Sequence, residues 1–216
     1  MNASRGILSW TEAGVMACML FLFSGHAACA RASSPLRVTH NPASVIQDFD
    51  QALVHAMQIG KPGGFAARYE ILSPVIQHSF ASGRIAQLLV GPAWPHFSPS
   101  QQKRLGTLFE HYTIANYASE FRRYHGETFR VMGTRHDAGY EVVSARLLEP
   151  DGHSHTFTYL MAPDRGHWKI INIFVDGVSN VALLRSQYLY IIRKSGPVGL
   201  LRYIQKATQK LEKRKL

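Results

Sequence analysis

The sequence predicts an α+β fold: a four-stranded antiparallel meander packed against a layer of helices. Three observations carry that prediction. Apolar residues recur at helical spacing before Glu127, alternate with period two from there to Val175, and return to helical spacing after Gly177. The alternating runs are joined by turns too short for a crossover helix, so neighbouring strands pair antiparallel. Helices that flank a sheet in sequence cover one of its faces.

The first helix starts at Asn41-Pro42, a capping side chain followed by a residue suited to the first turn. Ile46, Phe49, Leu53, Ala56 and Met57 form its apolar stripe, and Gly60 ends it. Two shorter helices are expected from Phe65 to Gln77 and from Ser82 to Val90. The longest helix opens at Ser98-Pro99, where Ser98 and Gln101 have the spacing of a capping box, and runs to Tyr124. Its stripe is strongly aromatic.

The strands follow as "ETFRVMG", "YEVVSARLLE", "HSHTFTYLMA" and "HWKIINIFV". "PDG" and "PDRG" supply turns between them. Val143, Ala145 and Leu147 make the more apolar face of the second strand. On the third, His153, His155, Phe157, Tyr159 and Met161 share one face, while Ser154, Thr156, Thr158 and Leu160 share the other. Either face of that strand could line the interior, and the bulkier one is expected to. A helix is expected from Val178 to Lys194, broken by Gly196-Pro197, then a final helix to Lys210.

The ends differ from this domain. Residues 1–32 have a basic residue (Arg5), an apolar run from Ala13 to Phe23, then small residues, in the order of a secretory signal. The alternative is an uncleaved membrane anchor. Residues 33–40 read as a linker, 41–210 as one domain, and 211–216 as a basic tail. Both cysteines, Cys18 and Cys29, fall inside the signal, so disulfides, thiolate chemistry and Cys-based zinc sites are excluded from the mature chain. The formal charge of +10 becomes +9 without residues 1–32 and favours anionic partners. For an exported protein the accessible polyanion is an anionic membrane surface, not nucleic acid.

No catalytic constellation is visible. There is no phosphate-binding glycine loop. "GVSNV" lacks the glycine two residues beyond Ser179 that a nucleophile elbow requires, so Ser179 reads as a helix cap. His153 and His155, even with Asp151 or His167, fix no third metal ligand, so no metal and no cofactor is expected. Asp48 and Asp50 point to different faces of their helix. An enzyme acting on an apolar terpenoid or steroid-like substrate on a similar scaffold is the alternative, and it would need a buried Asp–His or Tyr–Asp pair.

Several segments together resemble a known family. They are "RIAQLLVGPAWPHFSPSQQKRLGTLFEHY", "FRRYHGETFRV" and "HWKIINIFVDGVSNVALLRSQY", in that order. They resemble the periplasmic lipid carriers of the MlaC, or toluene-tolerance, family. The Asp-Gly-Val-Ser corner and the following Arg-x-Gln-Tyr look most like its hopanoid-associated HpnM branch. The likeness covers Val45 to Lys206. It departs from the family pattern at Phe80, where Ala81 and Ser82 replace an expected Asp; Ser82 is then the natural cap of the next helix.

The resemblance implies a periplasmic carrier of phospholipid or hopanoid. Its apolar cavity would lie between sheet and helices, and it would move lipid between an inner-membrane transport complex and an outer-membrane acceptor. Exposing a roughly sixteen-carbon tail to water costs on the order of 12 kcal/mol, so such a carrier needs an apolar wall and no catalytic group. The expected wall residues are Trp94, Phe109, Tyr112, Val143, Leu147, Phe157, Tyr159, Ile171 and Ile173. Asp176, Gly177 and Ser179 form a structural corner. Arg185 and Tyr188 would anchor the following helix or sit near a headgroup.

Overall fold

The computed structural model describes residues 41–213. The expected export signal, the linker and the last residues of the basic tail lie outside the described residues. The described elements are α1 (Pro42–Ser79), α2 (Ser82–Val90), a short 3-10 helix (Gly91–His96) and α3 (Pro99–Glu120). Five strands follow: β1 (Thr128–Asp137), β2 (Tyr140–Leu148), β3 (Ser154–Asp164), β4 (His167–Val175) and β5 (Val178–Ser179). The last element is α4 (Asn180–Glu212). None of these helices is long and apolar enough to cross a membrane.

Asn41 caps α1 as expected, its side chain accepting the Ala43 N–H at 3.0 Å. The predicted stripe, from Ile46 to Met57, is buried throughout. The expected break also stands, because Gly60 (φ 57°) and Gly64 (φ 72°) leave helical geometry. Arg68 holds this break. Its Nη1 donates to the Gly60 carbonyl at 2.6 Å and its Nε to the Ala118 carbonyl of α3 at 2.7 Å. A buried guanidinium thus joins both halves of α1 to α3, and no periodicity in the sequence announced it.

The capping box at the start of α3 is present, with Ser98 and Gln101 bonded reciprocally. The helix ends at Glu120, short of the expected Tyr124. Downstream, the Glu127 carboxylate accepts the His125 N–H at 2.6 Å and shapes the turn into β1. Ser82 does not cap α2. Ala81 holds that position and makes no side-chain hydrogen bond. The Ala81 N–H is bound to the Ile170 carbonyl of β4 at 3.0 Å, which fixes the chain so that Ser82 is already helical.

The sheet is an antiparallel meander in the order β1-β2-β3-β4-β5, with one strand more than expected. Asp176 (φ 50°) and Gly177 (φ 83°) both have positive φ. That is the pattern of a tight hairpin turn, so Val178 and Ser179 fold back and pair with Val175 and Phe174. The Asp-Gly pair was a hairpin signal that the sequence reading took for a plain corner.

Bulges interrupt two strand pairs. In β1 the register shifts at Met132. In β4 Leu160 faces Asn172 while Met161 faces Ile170, leaving Ile171 as the extra residue. Ile170 and Ile173 therefore face the helices together with Val143, Leu147, Phe157 and Tyr159. Ile171 faces the other way, into a small cluster with Ala81 and Ala162. The expectation that Ile171 and Ile173 share a wall is corrected accordingly. Simple alternation fails across a bulge.

Replacing Arg68 by Met keeps the apolar stem but leaves two buried carbonyls without their donor. Arg68→Met is expected to lower the unfolding free energy by about 3 kcal/mol, read from urea titration.

Candidate functional site

The space between sheet and helices is packed. Val143, Leu147 and Tyr159 are wholly buried in a continuous apolar core, with Phe157 beside them. Phe49 of α1 sits among aromatic rings, edge-on to Phe80 at 5.1 Å, Tyr117 at 5.3 Å and Tyr159 at 6.3 Å. The large enclosed cavity expected from the resemblance is not seen among the described residues. What remains is an apolar pocket of about 50 Å³. That is room for a few waters, against about 300–1,000 Å³ for ordinary ligand sites.

The pocket lies where α2, α3, β4 and the start of α4 meet. Phe109 and Tyr112 of α3 and Ile173 of β4 line it, with Phe80, Leu184 and the polar side chains of Asn116, Asn172 and Asn180. Three of the expected wall residues therefore converge here. Val143, Leu147, Phe157 and Tyr159 belong to the solid core behind it. Trp94 is half-buried on the 3-10 helix, stacked on Phe97 at 6.4 Å, and does not line the pocket. Ile171 is on the opposite face of the sheet.

The corner is pinned on both sides. Asp176 accepts from the Thr156 N–H at 2.8 Å and contacts His155 Nδ1 at 2.8 Å. Burial works to raise the Asp176 carboxyl, but these bonds from His155 and Thr156 prevail and hold it below its ordinary value. His155 also lies 3.4 Å from Glu149, so it belongs to a carboxylate cluster at the hairpin end. Ser179 Oγ accepts the Ala182 N–H at 3.1 Å and the Asn172 side-chain amide at 2.9 Å. It caps α4 and is tied to β4.

Tyr188 is buried in the core, where it fastens α4. Arg185 rests against Gly91 at the C-terminal end of α2. A Cβ at Gly91 (φ 47°) would collide with the guanidinium. A cation there complements the partial negative charge of the helix end. Neither residue lines the apolar pocket.

The sequence reading missed one group of chemical interest. Asp50 is buried on α1 and accepts the Tyr159 hydroxyl at 2.9 Å. Its second carboxyl oxygen is buried without a hydrogen-bond partner. Burial pushes the Asp50 carboxyl up to about 7, against the smaller opposing effect of the Tyr159 bond. The signal was present in the sequence. Asp50 follows Phe49 and precedes Leu53 at the spacing of the buried stripe.

Two open clefts flank the core. One, of about 520 Å³, is lined by Asp50, His55, Glu127 and Arg130. The other, of about 500 Å³, lies at the start of α2. No group of three or more His, Cys, Asp or Glu among the described residues is placed to hold a metal ion.

Comparison with known proteins gives a family match and matches among solved structures. The family model described as MlaC protein matches residues 47–206. Among solved structures, a phospholipid-binding protein from Ralstonia solanacearum, determined in complex with a phospholipid, superposes with a TM-score of 0.68. It is 19% identical, and the match covers 79% of this chain and 96% of that one. No curated protein matches this chain.

Asp50 has a testable signature. Its folded value of about 7 exceeds the ordinary 3.8, so the folded state holds a proton that the unfolded chain releases between these values. Stability is therefore greatest below pH 4 from this group and falls as pH rises to 7. Relative to Asp50→Asn, the native protein should lose about 4 kcal/mol over that interval, measured by urea unfolding at each pH.

Proposed function

The chain belongs to the MlaC family, and from that premise we propose that it is a periplasmic lipid carrier. In this reading it moves a phospholipid or a hopanoid-type lipid between the inner and outer membranes. The observation that carries the reading is the mainly apolar pocket at the junction of α2, α3, β4 and α4. The likeness in fold to a phospholipid-binding protein solved with its lipid adds support.

At about 50 Å³ the pocket is a point of insertion and not a finished binding chamber. Lipid tails need α3 and the first turns of α4 to move off β4. Separation is less costly on this side than through the aromatic core, because the Asn116, Asn172 and Asn180 amides that line the pocket can bond to water once it opens. An inner-membrane transport complex and an outer-membrane acceptor are the proposed partners. The basic charge suits approach to anionic membrane surfaces.

One observation favours a second reading. The buried Asp50–Tyr159 pair is the kind of group an enzyme acting on terpenoid-like substrates would use. Turnover lost in Asp50→Asn, with lipid binding intact, would favour that enzyme over the carrier.

The direct experiment is native purification of the mature protein, organic extraction and mass spectrometry of the extract. Lipid is expected at near-equimolar ratio. Leu184→Trp, which fills the pocket, should reduce it about tenfold while the melting temperature and far-ultraviolet dichroism stay native. A native protein that neither carries lipid nor takes it up from vesicles would overturn the carrier reading.

A further inference from the structure

α4 is two helices that fold back on each other. Gly196 (φ 63°) interrupts it just ahead of Pro197. Gln187, before the break, donates from its side-chain amide to the hydroxyl of Tyr203, after it, at 2.6 Å. In a straight helix these two residues would be about 24 Å apart. The Tyr188 and Tyr203 rings also meet, with centroids 6.4 Å apart. Gln187 and Tyr203 are both exposed, so their bond joins the outer faces of the two halves into one surface.

That surface has a definite chemistry. Before the break, Ser186, Tyr190, Arg193 and Lys194 recur at the spacing of a single helix face, and all are exposed. After it, Val198, Arg202 and Lys206 do the same. Seven large apolar side chains are exposed among the described residues, and three of them lie here: Tyr190 at 57%, Val198 at 51% and Tyr203 at 36%. The charge is of one sign. α4 carries six Lys or Arg residues and one acid, Glu212, at its last position. An ordinary solvated face intersperses both signs.

We propose that this outer surface of α4 docks the protein on an anionic lipid bilayer, with Arg193, Lys194, Arg202 and Lys206 against lipid phosphates and Tyr190 at headgroup depth. The side chains suit that boundary. A tyrosine offers an apolar ring with a wet hydroxyl, and long basic side chains reach charged headgroups from apolar stems. Anionic bilayers attract clustered Lys and Arg, each cation adding to the attraction. A second copy of this chain is a poor occupant, because two such faces repel. The choice of a lipid surface over another polyanion rests on the carrier reading. The geometry serves that reading, since Val181 and Leu184, on the inner side of the same half of α4, line the apolar pocket. Docking through the outer side brings the pocket's own helix to the membrane.

The test is co-sedimentation of the full mature chain with vesicles of phosphatidylcholine alone and of phosphatidylcholine mixed with phosphatidylglycerol. Binding is expected to the mixed vesicles only, and it should fall as salt is added. Arg193→Ala/Lys194→Ala should weaken it roughly tenfold, and Tyr190→Ala by a smaller factor, with the melting temperature unchanged. Arg123→Ala/Arg146→Ala removes equal charge from exposed positions outside α4 and should leave binding near native. Leu184→Trp, which closes the pocket, should bind vesicles as the native chain does. No binding to the mixed vesicles overturns the proposal. Equal loss in the two double variants does so as well, because net charge alone would then account for binding. Loss in Leu184→Trp also overturns it, by showing that vesicles are held through the pocket. So does a lipid-independent dimer, seen by sedimentation velocity and abolished in Tyr190→Ala, which assigns the face to a second copy. Native protein that still yields lipid on organic extraction in any of these cases leaves the carrier reading standing without this surface.

Discussion

The bulge at Ile171 rolls β4 over in mid-strand, and much of the functional side of the fold follows from it. Ile170 and Ile173, three positions apart, both face the helices, which an unbroken strand does not allow. Ile173 becomes a wall of the apolar pocket. The Ile170 carbonyl meets the Ala81 N–H and fixes where α2 begins. Ile171, pushed to the opposite face, packs on Ala81 from below. One extra residue thus positions a pocket wall, a helix start and the small cluster that supports it.

The core behind the pocket is held differently. Phe49 gathers three aromatic rings about it, and Asp50 on the next residue of α1 reaches Tyr159 of β3. A half-satisfied buried carboxyl is costly, and its raised pKa is the measure of that cost. It is tolerated because near neutral pH a proton can neutralise it, and because the aromatic packing around it is extensive. The fold therefore has a dense half, stapled by Asp50 and Arg68, and a looser half around the pocket.

Much of this was legible in the residues. The Asn41 and Ser98 caps, the α1 stripe, the breaks at Gly60 and Gly196, and the meander all follow local rules that need no tertiary information. Phe109, Tyr112 and Ile173 were read as inward-facing apolar residues, and they line the pocket. What was hidden depends on register or on distant partners. Ile171 was misassigned because a bulge leaves no mark in an alternating pattern. Ser82 was expected to cap α2, but a hydrogen bond to β4, ninety residues further along the chain, moved the helix start. The cavity was inferred from aromatic abundance and resemblance, and abundance of that kind serves a filled core equally well.

That closed core bears directly on the proposed carrier role. A tail that leaves a membrane must find apolar surface at once, yet an open apolar chamber in water would itself cost about 25 cal/mol for each Å² exposed. A small pocket that widens only as a tail enters avoids both states, because each increment of wall exposed is covered by lipid as it opens. Such widening needs a boundary where helices part from the sheet without breaking buried polar bonds. At the α3–β4–α4 junction Asn172 of β4 bonds to the Ser179 side chain and to the Val181 N–H of α4, so on the carrier proposal the seam would open between α3 and β4 while this link holds. On the carrier proposal the Asp176-Gly177 turn, bonded to β3 at its base, would be the fixed end of such a movement.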